Sequence, residues 1–110
     1  MNIEKTAAQM RKGVLELCIL SILEQKEAYA SDMISTMKDA ELIIVEGTLY
    51  PLLTRLKNEG LLDYRWQEST SGPPRKYYTL TQLGKNTVEE LKISWNDLVS
   101  SINKIIEKSI

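Results

Sequence analysis

The chain has 110 residues, 43% of them apolar, and a net charge of −1. That length suits one domain with a modest core, for which self-association is an expected supplement. One cysteine and no histidine exclude an internal disulfide framework, the usual zinc sites and histidine-based catalysis. The near-neutral balance confines any nucleic-acid footprint to a local patch.

The opening, Met1 to Lys12, is polar and charged. The apolar run Val14 to Leu23 is interrupted by Glu16 and Ser21 and is too short to span a bilayer. Neither a targeting segment nor a membrane partner is expected, and Cys18 reads as a buried small hydrophobe. A reduced, cytoplasmic setting fits this cysteine usage. Residues Ile3 to Glu24 read as one helix, with Gly13 the only break signal. Its second half is apolar on more than one side, so it must be covered both by its own domain and by something else.

A second helix is expected from Ser31 to Asp39, capped by Ser31 or Asp32, with Met33, Ile34 and Met37 at helical spacing. Ala40 to Val45 reads as a turn, because the strand-like Leu42 to Val45 has no evident pairing partner. A third helix is expected over Glu46 to Glu59, with Leu49, Leu52, Leu53 and Leu56 on one buried face. Pro51 is tolerated near its start, and Gly60 suits a left-handed cap at its end.

A hairpin follows. Leu62, Tyr64 and Trp66 alternate with Asp63 and Arg65, and Lys76, Tyr78 and Leu80 alternate with Arg75, Tyr77 and Thr79. Glu68 to Pro74 is dense in turn residues and reads as the loop between them. Thr81 then caps a last helix running to about Lys108. In it Val88, Leu91, Trp95, Leu98, Ile102 and Ile105 recur at alternating spacings of three and four, a heptad seam. The implied fold is mainly α with a small β-hairpin: a winged helix-turn-helix over 1–80 and a C-terminal dimerisation helix over 81–110.

In helix-turn-helix docking the second helix of the motif enters the major groove. With its leucines buried, the Glu46 helix turns Gly47, Thr48, Pro51, Thr54, Arg55 and Asn58 outward, with Tyr50 at the flank. These residue types suit phosphate and base contacts, although an ordinary solvated face would look the same. The hairpin adds Arg75 and Lys76 without any acidic residue from Ser69 to Leu80, a basic wing beside a polar helix. The heptad seam points to a partner copy, to be met through Val88, Leu91, Trp95, Leu98, Ile102 and Ile105. No nucleophile–base pair, phosphate-cradling loop or paired carboxylates suggest an enzyme, and no catalytic residue, metal or cofactor is expected. A winged-helix protein-interaction module that binds no DNA is the alternative.

Two motifs sharpen the reading. Gly47-Thr-Leu-Tyr-Pro-Leu-Leu-Thr-Arg-Leu-Lys-Asn-Glu-Gly-Leu-Leu62 and Pro74-Arg-Lys-Tyr-Tyr-Thr-Leu-Thr-Gln-Leu-Gly84 resemble the recognition-helix and wing signatures of the PadR family of bacterial transcriptional regulators. The likeness covers nearly the whole chain, and the length resembles the subfamily with a single C-terminal helix. It implies a homodimer on palindromic operator DNA, usually as a repressor. It also implies that Thr48 and Tyr50 make phosphate or groove contacts, with Pro51 beside them, and that Arg75 and Lys76 grip the backbone. Arg55 serves either DNA or packing and charge support. The wing tip departs from the family's usual glycine and basic residue, carrying Ser71-Gly72-Pro73-Pro74 instead. Trp95 reads either as a large core residue of the seam or, by resemblance, as the tryptophan of the drug-sensing branch, where flat aromatic compounds stack between two copies. That likeness implies a small aromatic or cationic effector in a pore lined by Gly13, Glu16, Leu17, Leu20, Trp95 and Val99, with Glu16 favouring cations.

Overall fold

The computed structural model describes residues 1–108. Five helices and one hairpin follow in the order α1 (Ile3–Lys12), α2 (Leu15–Gln25), α3 (Ala30–Asp39), α4 (Glu46–Asn58), β1 (Leu62–Ser69), β2 (Gly72–Leu80) and α5 (Gln82–Lys108). The expected single first helix is two. The Asn2 side chain caps α1 by accepting from the Lys5 N–H at 3.0 Å, and the helix ends at Gly13. There the Val14 N–H reaches the Arg11 carbonyl at 3.1 Å, a tightened turn. Glycine costs about 1 kcal/mol in a helix interior relative to alanine, which is why the break falls here.

The core is built from α2, α3, α4, the hairpin and the start of α5. Ile19, Leu20, Met33, Met37, Leu49, Leu53, Leu56, Leu62 and Val88 are its fully buried side chains. The leucine face of α4 forms as its spacing requires, with Leu52 packed at the margin. Residues 42–45 are irregular, as their lack of a strand partner suggests, and only Ile44 of the four is buried. The end of α4 is a Schellman closure. Gly60 takes φ of 80°, its N–H meets the Lys57 carbonyl, and the Leu61 N–H reaches back to the Leu56 carbonyl, each at 3.0 Å.

The hairpin pairs Leu62 with Leu80, Tyr64 with Tyr78 and Trp66 with Lys76. Its strands run further than expected. Ser69 pairs with Gly72, so only Thr70 and Ser71 form the turn, and an irregularity between Gln67 and Ser69 absorbs the mismatch. Pro73 and Pro74 therefore lie in β2 and not in a loop. A two-stranded ribbon leaves every strand with an unpaired outer edge, where proline's missing donor costs little. Nearer the body, Ala28 joins β2 as a short third pairing. Its N–H meets the Tyr78 carbonyl at 3.1 Å, and the Tyr78 N–H returns to the Ala28 carbonyl at 2.8 Å.

Thr81 starts α5 as expected, and its hydroxyl has two partners. It accepts from the Gly84 N–H at 3.0 Å and donates to the Gly60 carbonyl at 2.6 Å. Only the first turns of α5 reach the core. Val88 is fully buried there and Leu91 packs against it. Val88 thus belongs to the protomer's own core and is not available to a partner, contrary to its place in the expected seam. Leu20, expected to line a pore, is likewise fully enclosed.

An ion pair between Lys92 and Glu24 ties α5 to α2. The Lys92 ammonium holds the Glu24 carboxyl below its ordinary range, and the Glu24 hydrogen bond raises Lys92. A carboxylate with a depressed folded value contributes stability above its unfolded value, which is lost as pH falls through the folded one. A raised lysine contributes below its unfolded value and loses its share as pH rises through the folded one. The contribution should therefore be full between the two ordinary values, 4.5 and 10.5, and fade outside them. Glu24→Gln should flatten the acid side of the stability–pH curve in urea titrations. An unchanged acid slope would show that the pair contributes nothing measurable.

Candidate nucleic-acid interface

Most of the candidate contact residues on α4 lie on its outer side. Gly47, Thr48, Tyr50, Pro51, Thr54 and Asn58 are all exposed. Gly47 has open space where a Cβ would stand, so nothing within the protomer demands glycine there. Pro51 sits well inside α4 and not at its first position. It removes the amide that would have bonded the Gly47 carbonyl, a loss tolerable only at a solvent-facing or ligand-facing point.

Arg55 is differently employed. Its guanidinium bonds the half-buried carboxylate of Glu16 on α2 and lies 3.9 Å from Glu59 one turn on. Of the two roles open to it, charge support is the one the geometry displays. The same bond engages Glu16, the residue expected to offer a free charge to a cationic ligand.

The basic residues of β2 do not act side by side. Strand alternation sends them to opposite faces of the hairpin. Lys76 points with Tyr64 and Trp66, its Nζ 4.5 Å from the Tyr64 ring centroid and 5.6 Å from that of Trp66. Arg75 lies over Tyr29, its guanidinium carbon 3.8 Å from the ring centroid, and its Nη1 donates to Ser31 Oγ at 3.5 Å. Among the described residues neither Arg75 nor Lys76 pairs with a carboxylate. Neighbouring cations do: Arg65 pairs with Glu27 at 3.0 Å, which raises its pKa further, and Lys57 lies 3.7 Å from Asp63. Among the described residues, then, Arg65 and Lys57 are neutralised and Arg75 and Lys76 are not.

Between α3, α4 and the hairpin lies an open cleft of about 430 Å³, lined among others by Tyr29, Tyr50, Trp66, Arg75 and Lys76. A smaller cleft of about 250 Å³ continues along α4 past Thr54, Lys57 and Asn58. Trp66 is 61% exposed and Tyr50 45%. Large exposed aromatics beside cations mark a surface that meets something. Glu46 also lines the first cleft, so an anion there must approach from the β2 side. Tyr29 precedes α3 and belongs to no periodic pattern, so sequence reasoning misses it. Tyr64 and Trp66 read in the sequence only as strand alternation, although the same period of two places them on one face with Lys76.

Cys18 is partly buried, and burial pushes its thiol pKa up, which keeps it protonated and unreactive. No described helix is long and apolar enough to cross a membrane.

Comparison with known proteins places this geometry. Residues 19–90 match the transcriptional regulator PadR-like family. The chain is 57% identical to a PadR-like transcription factor from Bacteroides fragilis, covering 92% of this chain and 98% of that one, with a TM-score of 0.78. It is 32% identical to a PadR family transcriptional regulator from Eggerthella lenta (96% and 92% covered, TM-score 0.88). It is 39% identical to a PadR-like transcriptional regulator from Bacillus cereus (89% and 96% covered, TM-score 0.78).

A winged helix with this recognition helix and wing defines a class of DNA-binding transcriptional regulator and not an enzyme. The chain belongs to the PadR-like family.

Proposed function

We propose that the protein acts as a homodimer that binds double-stranded, palindromic operator DNA and represses transcription, with α4 in the major groove and the hairpin on the phosphate backbone. The observation that carries this reading is the pair of uncompensated cations, Arg75 and Lys76, each held on an aromatic ring beside the polar face of α4. Thr48, Tyr50 and Pro51 form the leading edge of that face, and Arg55 braces it against α2 through Glu16. Repression is the mode that the family resemblance implies. The dimer reading is supported by α5, which buries only Gly84 and Val88 along its length. It is supported equally by α1, which buries nothing. Trp95, Leu98 and Ile102 stand 42%, 52% and 44% exposed at heptad spacing, as a partner's helix would require.

An effector held between two copies of Trp95 would be recognised by stacking and by Gly13, Leu17 and Val99 around it. Leu20 is too deep to take part, and Glu16 joins only if its bond to Arg55 opens.

The test is a gel-shift on the DNA upstream of the protein's own gene, titrated with salt. Arg75→Ala with Lys76→Ala should weaken binding and flatten log K against log salt by about 0.9 for each phosphate no longer neutralised. A protein-interaction module would show no duplex binding to lose. Unchanged affinity and slope in the double variant would remove the wing from the backbone.

A further inference from the structure

We propose that Tyr29 is a positioning residue for DNA binding: its ring holds the Arg75 guanidinium by its face and leaves donors on the guanidinium edge, beyond the one that reaches Ser31, for a backbone phosphate. The proposal rests on the DNA-binding reading above and adds to it a residue outside both sequence motifs.

Three observations carry it. First, Tyr29 is fixed by its backbone. Its N–H donates to Asp32 Oδ2 at 2.9 Å. Its carbonyl accepts from Asp32 and Met33 as α3 begins. The preceding residue, Ala28, is doubly bonded to Tyr78 of β2. The ring therefore stands at a defined place relative to both α3 and the hairpin.

Second, the ring belongs to a continuous chain of ring and guanidinium contacts. Arg65 lies 4.9 Å from the Tyr77 centroid, Tyr77 lies 4.7 Å from Tyr29, and Arg75 closes the other end at 3.8 Å. The two ends differ in charge balance. Arg65 is neutralised by Glu27, whereas among the described residues Arg75 has the neutral Ser31 hydroxyl and no carboxylate partner.

Third, a guanidinium carbon 3.8 Å from the Tyr29 centroid is too close for an edge-on approach, so the ring meets the face of the guanidinium. Its N–H donors lie in the plane and point outward, the fork that suits a phosphate. An exposed arginine otherwise loses considerable side-chain entropy when it binds. A stacked one has lost part of it already, so the ring pre-organises the contact.

The experiment measures binding of the intact protein to a random-sequence DNA duplex at low salt, with wild type, Tyr29→Phe, Tyr29→Leu, Arg75→Ala and the double variant Tyr29→Leu/Arg75→Ala. The ring is what matters, so Tyr29→Phe should bind as wild type. Tyr29→Leu should bind about two- to fivefold more weakly, the scale of an exposed cation–π contact. In the Arg75→Ala background the Leu substitution should change nothing further. In the free protein, NMR should find the Arg75 Hδ resonances shifted upfield in wild type and Tyr29→Phe but not in Tyr29→Leu, an effect that a merely folded chain does not produce. Wild type that binds no duplex would overturn the DNA reading and this proposal with it. If Arg75→Ala weakens binding while Tyr29→Leu does not, the DNA reading survives and the proposal fails. An equal loss from Tyr29→Leu with and without Arg75 would mean that Tyr29 acts on its own, which also overturns it. Absence of the upfield shift in wild type and Tyr29→Phe would do the same even if Tyr29→Leu proved unstable.

Discussion

Leu98→Asp or Ile102→Asp should leave a folded protomer that no longer dimerises. Both side chains lie on the outer part of α5, about half exposed, and neither belongs to the protomer's own core. Either carboxylate should therefore leave the winged-helix body intact. In the proposed dimer, each substitution places two charges in an apolar seam. At roughly 3 kcal/mol for each unpaired buried charge, association weakens by a factor of about 10⁴. Sedimentation equilibrium reads the result directly, with circular dichroism checking that the helices remain. Wild-type protein sedimenting as a folded monomer at micromolar concentration would sink the dimer. The same substitution at Val88 should instead unfold the protomer, because that side chain is fully enclosed in it.

Gly84→Ala should be the most damaging small substitution in the chain. A Cβ built at Gly84 would stand 2.0 Å from the Leu61 carbonyl oxygen and 3.0 Å from the Leu80 side chain. The obstacle is backbone, and that backbone is pinned by the Schellman closure of α4 and by the Thr81 bridge to Gly60. Relief requires α5 to lift away from the hairpin, which would uncover Val88. Overpacking of this kind costs about 1–3 kcal/mol, and a rigid obstacle places it at or above the upper end. At about 4–8 °C per kcal/mol for a domain of this size, thermal unfolding should move down by roughly 10 °C or more. A melting temperature within a few degrees of wild type would mean that α5 shifts freely.

What is legible in the sequence is whatever a period can carry. The leucine spacing of α4, the alternation of the hairpin and the heptads of α5 each specify an element and a face. Depth is not carried by any of them. Val88 and Leu91 continue the same heptad as Leu98 and Ile102, yet the body of the protomer claims the first pair and stops before the second. No local pattern says where one neighbour ends and another must begin. Contacts between distant elements are equally invisible, which is why Glu16 and Arg55, 39 residues apart, carry separate roles in the sequence and a shared one in the fold. Gly84 is visible there only as one letter of a motif. The opposite orientation of Arg75 and Lys76, by contrast, follows from strand alternation alone.

The pairing of Ala28 with Tyr78 has a mechanical consequence. It ties the base of the hairpin to the segment that leads into α3, which restrains the wing from moving as an independent lever. In the proposed complex, α4 in the groove and the hairpin on the backbone would then travel together as one head, because α4 packs against both α3 and β1. In a two-headed assembly, the adjustable dimension is then the distance and tilt between heads, set by α1 and α5 outside them. A signal that releases DNA would have to be delivered as torque on those helices. Amide exchange should show this division: the Ala28 and Tyr78 N–H groups opening only with global unfolding, and the distal turns of α5 responding to whatever joins or parts the two copies.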